Sequence, residues 1–307
     1  MKKLILPLIV LASFYSCKKT TVDDIVPVPP AAPLVITKAD YSNYKVGGTA
    51  FSFSTVNAAS VSVPASGVGQ TWDFSTLTET GSITTGGANY LTPTNAAFSA
   101  ATYMIAETNA WAVSGVSSPT FASNSFYELS DAGSYELSYS QNAAVSIVVA
   151  SLGATITYPI QNLNYTGTTK YPNVIFPSKV GNAAVVTSGI VKTSSYTVTA
   201  AAFGLNNTPG QTKVTTTVTQ EVLGSGTANF KNIGKVRVLV IKNSISDKTN
   251  YFLGGAPAPA ALLTNLGLTD GEVTTSATYR FLGEGLGNVG ILNANASGVI
   301  TSAFFRK

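Results

Sequence analysis

The sequence predicts an all-β protein, an antiparallel β-sandwich, and three observations carry that expectation. Charged residues make up only 10% of the chain against 45% hydrophobic, where about a quarter charged is usual. Thr, Ser, Ala, Gly and Val take the place of Lys and Glu, and the stiff β-branched side chains of Thr and Val suit a pleated strand. Alternating polar and apolar runs recur between Gly, Asn and Pro, while long 3.6-residue periodicity is absent. Many strands, few helices and frequent turns pack as antiparallel sheets.

The chain opens with Lys2 and Lys3, an apolar run from Leu4 to Phe14, and then Ser16-Cys17-Lys18-Lys19. The run is shorter than the roughly 20 residues of a spanning helix, and Pro7 further disfavours one. A basic start, a short apolar stretch and a small residue before the cut read as a signal peptide over residues 1–16. Cleavage there leaves Cys17, the single cysteine, free for thioether linkage to diacylglycerol and for further acylation of palmitate type. An ordinary secretory signal beside a chance cysteine is the alternative. An exported chain that avoids cysteine elsewhere has little reason to keep one at this position. Phe14 and Tyr15 depart from the usual aliphatic and small residues of a lipoprotein box, and the leader resembles the looser boxes of Bacteroidota lipoproteins. The expected partner at this end is therefore a membrane, held through the N-terminal lipid of an outer-membrane lipoprotein. Whether it faces the periplasm or the cell exterior stays open. Each buried methylene of such a lipid contributes about 0.8 kcal/mol.

Residues 17–33 change in character. Pro27, Pro29, Pro30 and Pro33 follow a polar stretch, which predicts a semi-stiff tether at about 3.1 Å per residue and no fold of its own. Residues 34–307 are long enough for a large core, read as one sandwich domain with a division near 160–175 as the alternative. Removal of Lys2 and Lys3 lowers the formal charge from +4 to +2. The remaining charges are scattered, so no basic stripe for nucleic acid is expected.

Strands are expected at Ala50 to Thr55, Ser60 to Val63, Ser125 to Ser140, Val145 to Tyr158, Gly189 to Ala200, Thr212 to Leu223, Gly234 to Ile241 and Thr274 to Leu282. One short helix is expected over Pro259 to Leu266, with Pro in its first turn and Gly267 as its stop. The local repeat Tyr127-Glu128-Leu129-Ser130 and Tyr135-Glu136-Leu137-Ser138 flanks Asp131-Ala132-Gly133. A three-residue loop with Gly133 left-handed pairs Glu128 with Glu136 and puts Tyr127, Leu129, Tyr135 and Leu137 on one buried face. Two carboxylates roughly 5 Å apart at Cβ repel unless a cation, a proton or a lysine intervenes. Glu128 and Glu136 are thus the candidate ligand-binding pair. A solvated edge, or a one-residue slip that dissolves the pair, is the competing and favoured reading.

Gly285-Leu286-Gly287-Asn288-Val289-Gly290 matches the dinucleotide pattern by letter. That pattern needs a following helix and an acidic residue about 20 positions on. Only strand-like sequence without Asp or Glu follows here, so a turn is expected and no dinucleotide. The chain has no histidine, which excludes Ser-His-Asp triads, Cys-His pairs and His-bound zinc. No catalytic residue, metal ligand or cofactor is assigned. Two carboxylates could still hydrolyse a glycan, which keeps a carboxylate-dependent hydrolase as the runner-up. Thr215, Thr217 and Thr219 form a row on one strand face, with Val214, Thr216 and Val218 on the other. Of the two tryptophans, Trp72 and Trp111, Trp72 stands two residues from Phe74, and this pair is expected in the core.

The segment Gly67-Val68-Gly69-Gln70-Thr71-Trp72-Asp73-Phe74-Ser75-Thr76-Leu77 resembles one repeated in uncharacterised secreted proteins of Bacteroidota. There it follows an opening like Ile36-Thr37-Lys38-Ala39-Asp40. Gly224-Ser225-Gly226-Thr227 and Asn232 to Val238 resemble a later strand pair of the same family. The resemblance implies a β-rich extracytoplasmic domain and no catalytic residues. The expected function is a non-enzymatic binding, adhesion or envelope accessory module, with a glycan or an envelope protein as its partner.

Overall fold

Alternation of apolar residues along strands builds two packed sheets in the computed structural model, which describes residues 32–49, 51–84, 89–110, 120–166 and 169–307. The signal peptide, Cys17, nearly all of the tether and Trp111 lie outside the described residues. Residues 33–307 form one unit.

In chain order, β1 (Val35–Ile36) leads to a one-turn 3-10 helix (Lys38–Tyr41). Next come β2 (Ser52–Val56), β3 (Gly67–Phe74), β4 (Glu79–Thr84), β5 (Tyr103–Ala110), β6 (Thr120–Ser130) and β7 (Gly133–Gln141). Then β8 (Val145–Val149), β9 (Ala154–Tyr158), β10 (Gln161–Thr166), β11 (Tyr171–Ile175) and β12 (Ser178–Lys179) follow. The last third holds the long strands β13 (Val185–Ala200), β14 (Leu205–Phe230) and β15 (Gly234–Leu253), with β16 (Ala256–Pro257) and helix α1 (Ala260–Asn265). The chain closes with β17 (Glu272–Gly283), β18 (Gly287–Asn295) and β19 (Ile300–Arg306). The expected helix is present, and Gly267 follows it with a φ of 68°. Ser60 to Val63 is not a strand. Asn57 caps a short 3-10 turn there, accepting the Ala59 N–H at 3.1 Å, and this local bond competes with the ladder.

The larger sheet runs β8-β9-β13-β14-β15-β17-β18-β19-β2-β4, all antiparallel. Beyond Val185, where β13 begins, β3 takes its place beside Gly224 to Phe230 of β14, in parallel. Gly224 and Gly226 are required there: a Cβ on Gly226 would sit 1.9 Å from the Gln70 carbonyl oxygen, and one on Gly224 2.2 Å from that of Gly67. The smaller sheet is β5-β6-β7, with β11 and β10 sharing the far edge of β7. Through Tyr165 and Thr166, β10 also pairs with β13 and so joins the two sheets. The larger sheet does not close into a barrel.

The run Val238-Leu239-Val240-Ile241 is wholly buried, as expected of a strand covered on both faces. Val238 and Val240 face one core with Phe230, Phe281, Leu292 and Phe305. Leu239 and Ile241 face a second, between the sheets, with Tyr41, Tyr44, Tyr103, Val174 and Phe176. A third cluster, Ile147, Val198, Leu253 and Leu262 among others, seats α1 at the far end.

Side chains of the facing sheets also bond across the second core. Gln220 Oε1 accepts the Ile175 N–H at 2.8 Å, and its amide donates to Asn243 Oδ1 at 2.9 Å and to the Asn173 carbonyl at 3.3 Å. Asn243 donates to the Asn173 carbonyl at 3.1 Å. All three polar side chains are buried, so their mutual satisfaction decides whether this layer is stable.

Candidate functional site

The hairpin that carries Glu128 and Glu136 does not have the expected register. Asp131 and Ala132 alone form its loop, pairing Ser130 with Gly133, Glu128 with Tyr135 and Tyr127 with Glu136. This one-residue slip sends the two glutamates to opposite faces. Its cause lies outside the hairpin: β11 crosses Gly133 so closely that a Cβ there would stand 2.5 Å from the Val174 carbonyl oxygen. Gly133 is therefore a strand residue under β11 and not the left-handed loop residue. A bulge at Leu137, with Ser138 at a φ of 80°, restores the pairing beyond it. Tyr127 and Leu129 pack on the second core, whereas Tyr135 and Leu137 do not share their face.

Glu128 is neutralised by a lysine. Lys170 Nζ lies 2.7 Å and 2.6 Å from its two carboxylate oxygens, and 5.6 Å from the centre of the Tyr135 ring. Glu136 takes a different path. It accepts the Tyr165 hydroxyl at 3.4 Å and borders a cleft between the two sheets of about 240 Å³.

Aromatic rings from separated parts of the chain form one wall of that cleft. Tyr44 and Tyr90 stack at 5.5 Å, Tyr90 and Tyr103 lie 4.9 Å apart, and Tyr103 stacks on Tyr127 at 5.2 Å. Tyr103 and Tyr127 are directly paired on β5 and β6, which fixes their stacking. Burial pushes all four phenols upward, that of Tyr44 to about 12. They stay neutral at physiological pH and act as hydrogen-bonding groups and apolar faces.

Polar side chains make the other wall. Arg280 on β17 is oriented by Asn173, whose Oδ1 accepts its Nη2–H at 2.8 Å. Asn288 on β18 donates its backbone N–H to the Tyr44 hydroxyl at 3.1 Å. Arg280 Nε and Asn288 Oδ1 are both buried without a partner among the described residues. A donor and an acceptor thus meet rings in a partly enclosed space, an arrangement suited to a small polar ligand with an apolar face. Glu136 is the only carboxylate among the described residues lining this cleft.

The glycine motif serves this site structurally. Gly285 and Gly287 both have a φ of 69° in the turn joining β17 to β18. A Cβ on Gly287 would come 2.6 Å from the Tyr44 ring. Asp40 accepts the Gly285 N–H at 2.8 Å and, in a capping box, the Thr37 N–H at 2.8 Å. The Ile36-to-Asp40 opening therefore docks on this turn and presents Tyr44 to the cleft. Trp72 and Phe74 are partly buried on the first core, with Phe74 stacked on Phe305 at 4.4 Å. Asp73 points away from it, accepting the Ser75 N–H at 3.0 Å and the Ser75 hydroxyl at 2.6 Å. Thr217 and Thr219 share an open face with Ser246 and Ser244 on β15, while Thr216 and Val218 are buried opposite.

Arg280, Asn173 and Asn288 were not singled out from the sequence. One signal for the polar layer was present: Leu239, Ile241 and Asn243 continue at period two, so Asn243 is a polar residue on an inward face. Comparison of the chain with models of protein families, with curated proteins and with solved structures finds no match, so the reading of the cleft rests on its chemistry.

Proposed function

We propose that this chain is a lipid-anchored extracytoplasmic binding module that catalyses no reaction and takes the end of a glycan, or a sugar of similar size, in the cleft. The observation that carries the proposal is the meeting of a tyrosine wall with the unpartnered Arg280 Nε and Asn288 Oδ1. A sugar ring offers C–H faces for aromatic stacking and hydroxyls that both donate and accept. Binding is favoured over hydrolysis because glycoside cleavage generally needs two carboxylates about 5–10 Å apart, and Glu136 stands alone among the described residues of the lining.

A glycan array followed by calorimetry tests this. Asn288→Ala is expected to weaken the selected glycan about tenfold, which is ~1.4 kcal/mol. The melting temperature should change little, because Asn288 Oδ1 bonds nothing among the described residues. An array without hits, or affinity indifferent to Asn288→Ala, would count against the cleft. Release of free sugar that ceases in Glu136→Gln would favour the hydrolase instead.

Cys17 supplies the anchor in this reading. Wild type is expected to sediment with membranes and Cys17→Ala to appear in the soluble fraction. Identical fractionation of the two would refute the lipid.

A further inference from the structure

A second cavity, of about 370 Å³, lies at the other end of the fold. It is distinct from the tyrosine cleft: the two share no lining residue. Its walls are apolar, with Ile147 and Val149 from β8, Ile156 from β9, Leu163 from β10, and Leu266 and Leu268 just after α1. A cavity of this size is within the range of about 300–1,000 Å³ that holds small organic ligands. A wholly apolar lining would take any hydrophobic molecule. This one contains a cation.

Lys192 sits in the interior of the larger sheet, paired with Tyr165 of β10 on one side and Val214 of β14 on the other. Its ammonium lies 5.7 Å from the centre of the Tyr139 ring and 5.5 Å from that of Tyr165. Among the described residues no carboxylate forms an ion pair with it. Glu136, the acid that borders this box, takes the Tyr165 hydroxyl. Two residues on, and so on the same face of β13, Ser194 also lines the cavity, and its buried Oγ has no partner among the described residues. Burial raises the Tyr139 phenol to about 12 and holds Tyr158 higher still. Both stay neutral and put no negative charge into the cavity.

We infer that this cavity binds an amphipathic carboxylate, its acyl or aromatic tail among the Ile, Val and Leu side chains and its head on Lys192 and Ser194. The aromatic box holds the ammonium in place while leaving its charge unneutralised, which a carboxylate would correct. The Ser194 hydroxyl would donate to the second carboxylate oxygen. A medium-length acyl tail suits a cavity at the lower end of the small-ligand range.

The test uses the full chain carrying Cys17→Ala, so that no detergent competes, with dodecanoate and dodecanol as probes in calorimetry and thermal melting. Dodecanoate is expected to bind at least tenfold more tightly than dodecanol and to raise the melting temperature. Lys192→Met keeps the length of the side chain without its charge, and should remove that preference while retaining dodecanol. Ser194→Ala, a smaller change, should reduce it several-fold. Equal affinity of the wild type for the two probes overturns the assignment of the head group, and this comparison requires no variant to fold. Failure of both probes to bind overturns the site.

Discussion

Phe281→Ala is expected to destabilise the fold by about 3–5 kcal/mol, the range for truncating a fully buried aromatic. Phe281 is inaccessible to solvent at the centre of the first core. Trp72 meets it edge-on at 5.6 Å, Phe74 at 5.1 Å and Phe230 at 6.4 Å. These partners come from β3 and β14, so the ring ties the parallel β3 to the antiparallel body. Rigid ladders surround the site on β15 and β18, which limits collapse into the void and puts the cost toward the upper end. At roughly 2–4 °C per kcal/mol, the melting temperature should fall by about 6–20 °C. Equilibrium denaturation of the two proteins measures it. A loss below about 1.5 kcal/mol would mean that the core relaxes or is less well packed than described.

The second large effect is expected at a polar residue. Gln220→Leu preserves volume but leaves the Ile175 N–H and Asn243 Oδ1 without the partners that Gln220 provides. Each buried orphan costs about 1–3 kcal/mol, so a total loss of about 2–6 kcal/mol follows. Because β11 belongs to one sheet and β14 and β15 to the other, the loss should also loosen the contact between sheets. Faster hydrogen exchange at the Ile175 amide would report this directly. Combining Gln220→Leu with Asn243→Leu should cost less than the sum of the two, since the pair removes an acceptor and its donor together. Full additivity would show that the two side chains act independently.

The long strands were legible because their cause is local. Alternation from Thr212 to Leu223, and the apolar run through Val238 to Ile241, specify a pleated backbone whatever they pack against. The helix beginning after Pro259 and the turn at Gly285 and Gly287 were equally readable, since proline and glycine act on their own φ angles. The alternative division of the domain near 160–175 falls in a stretch whose described residues pair, through β10 and β11, with β7, and β10 continues onto β13. No composition shift marks that role. Strand β3 was seen only through Trp72 and Phe74, because its ladder partner is β14, more than a hundred residues away.

By itself the sequence determined the all-β class, the positions of the long strands and the expectation of an anchored N-terminus at Cys17. Only the tertiary structure decided the register of the hairpin between Tyr127 and Ser138, and with it the separation of Glu128 from Glu136. Period-two alternation reads equally well in either register, and Gly133 is placed by the Val174 carbonyl passing over it. The cleft was decided in the same way. Tyr44, Tyr103, Glu136, Asn173, Arg280 and Asn288 are ordinary residues within their own strands and loops, and they become a site only through pairings between distant segments. Such pairings follow from how faces pack, which local side-chain patterns do not encode.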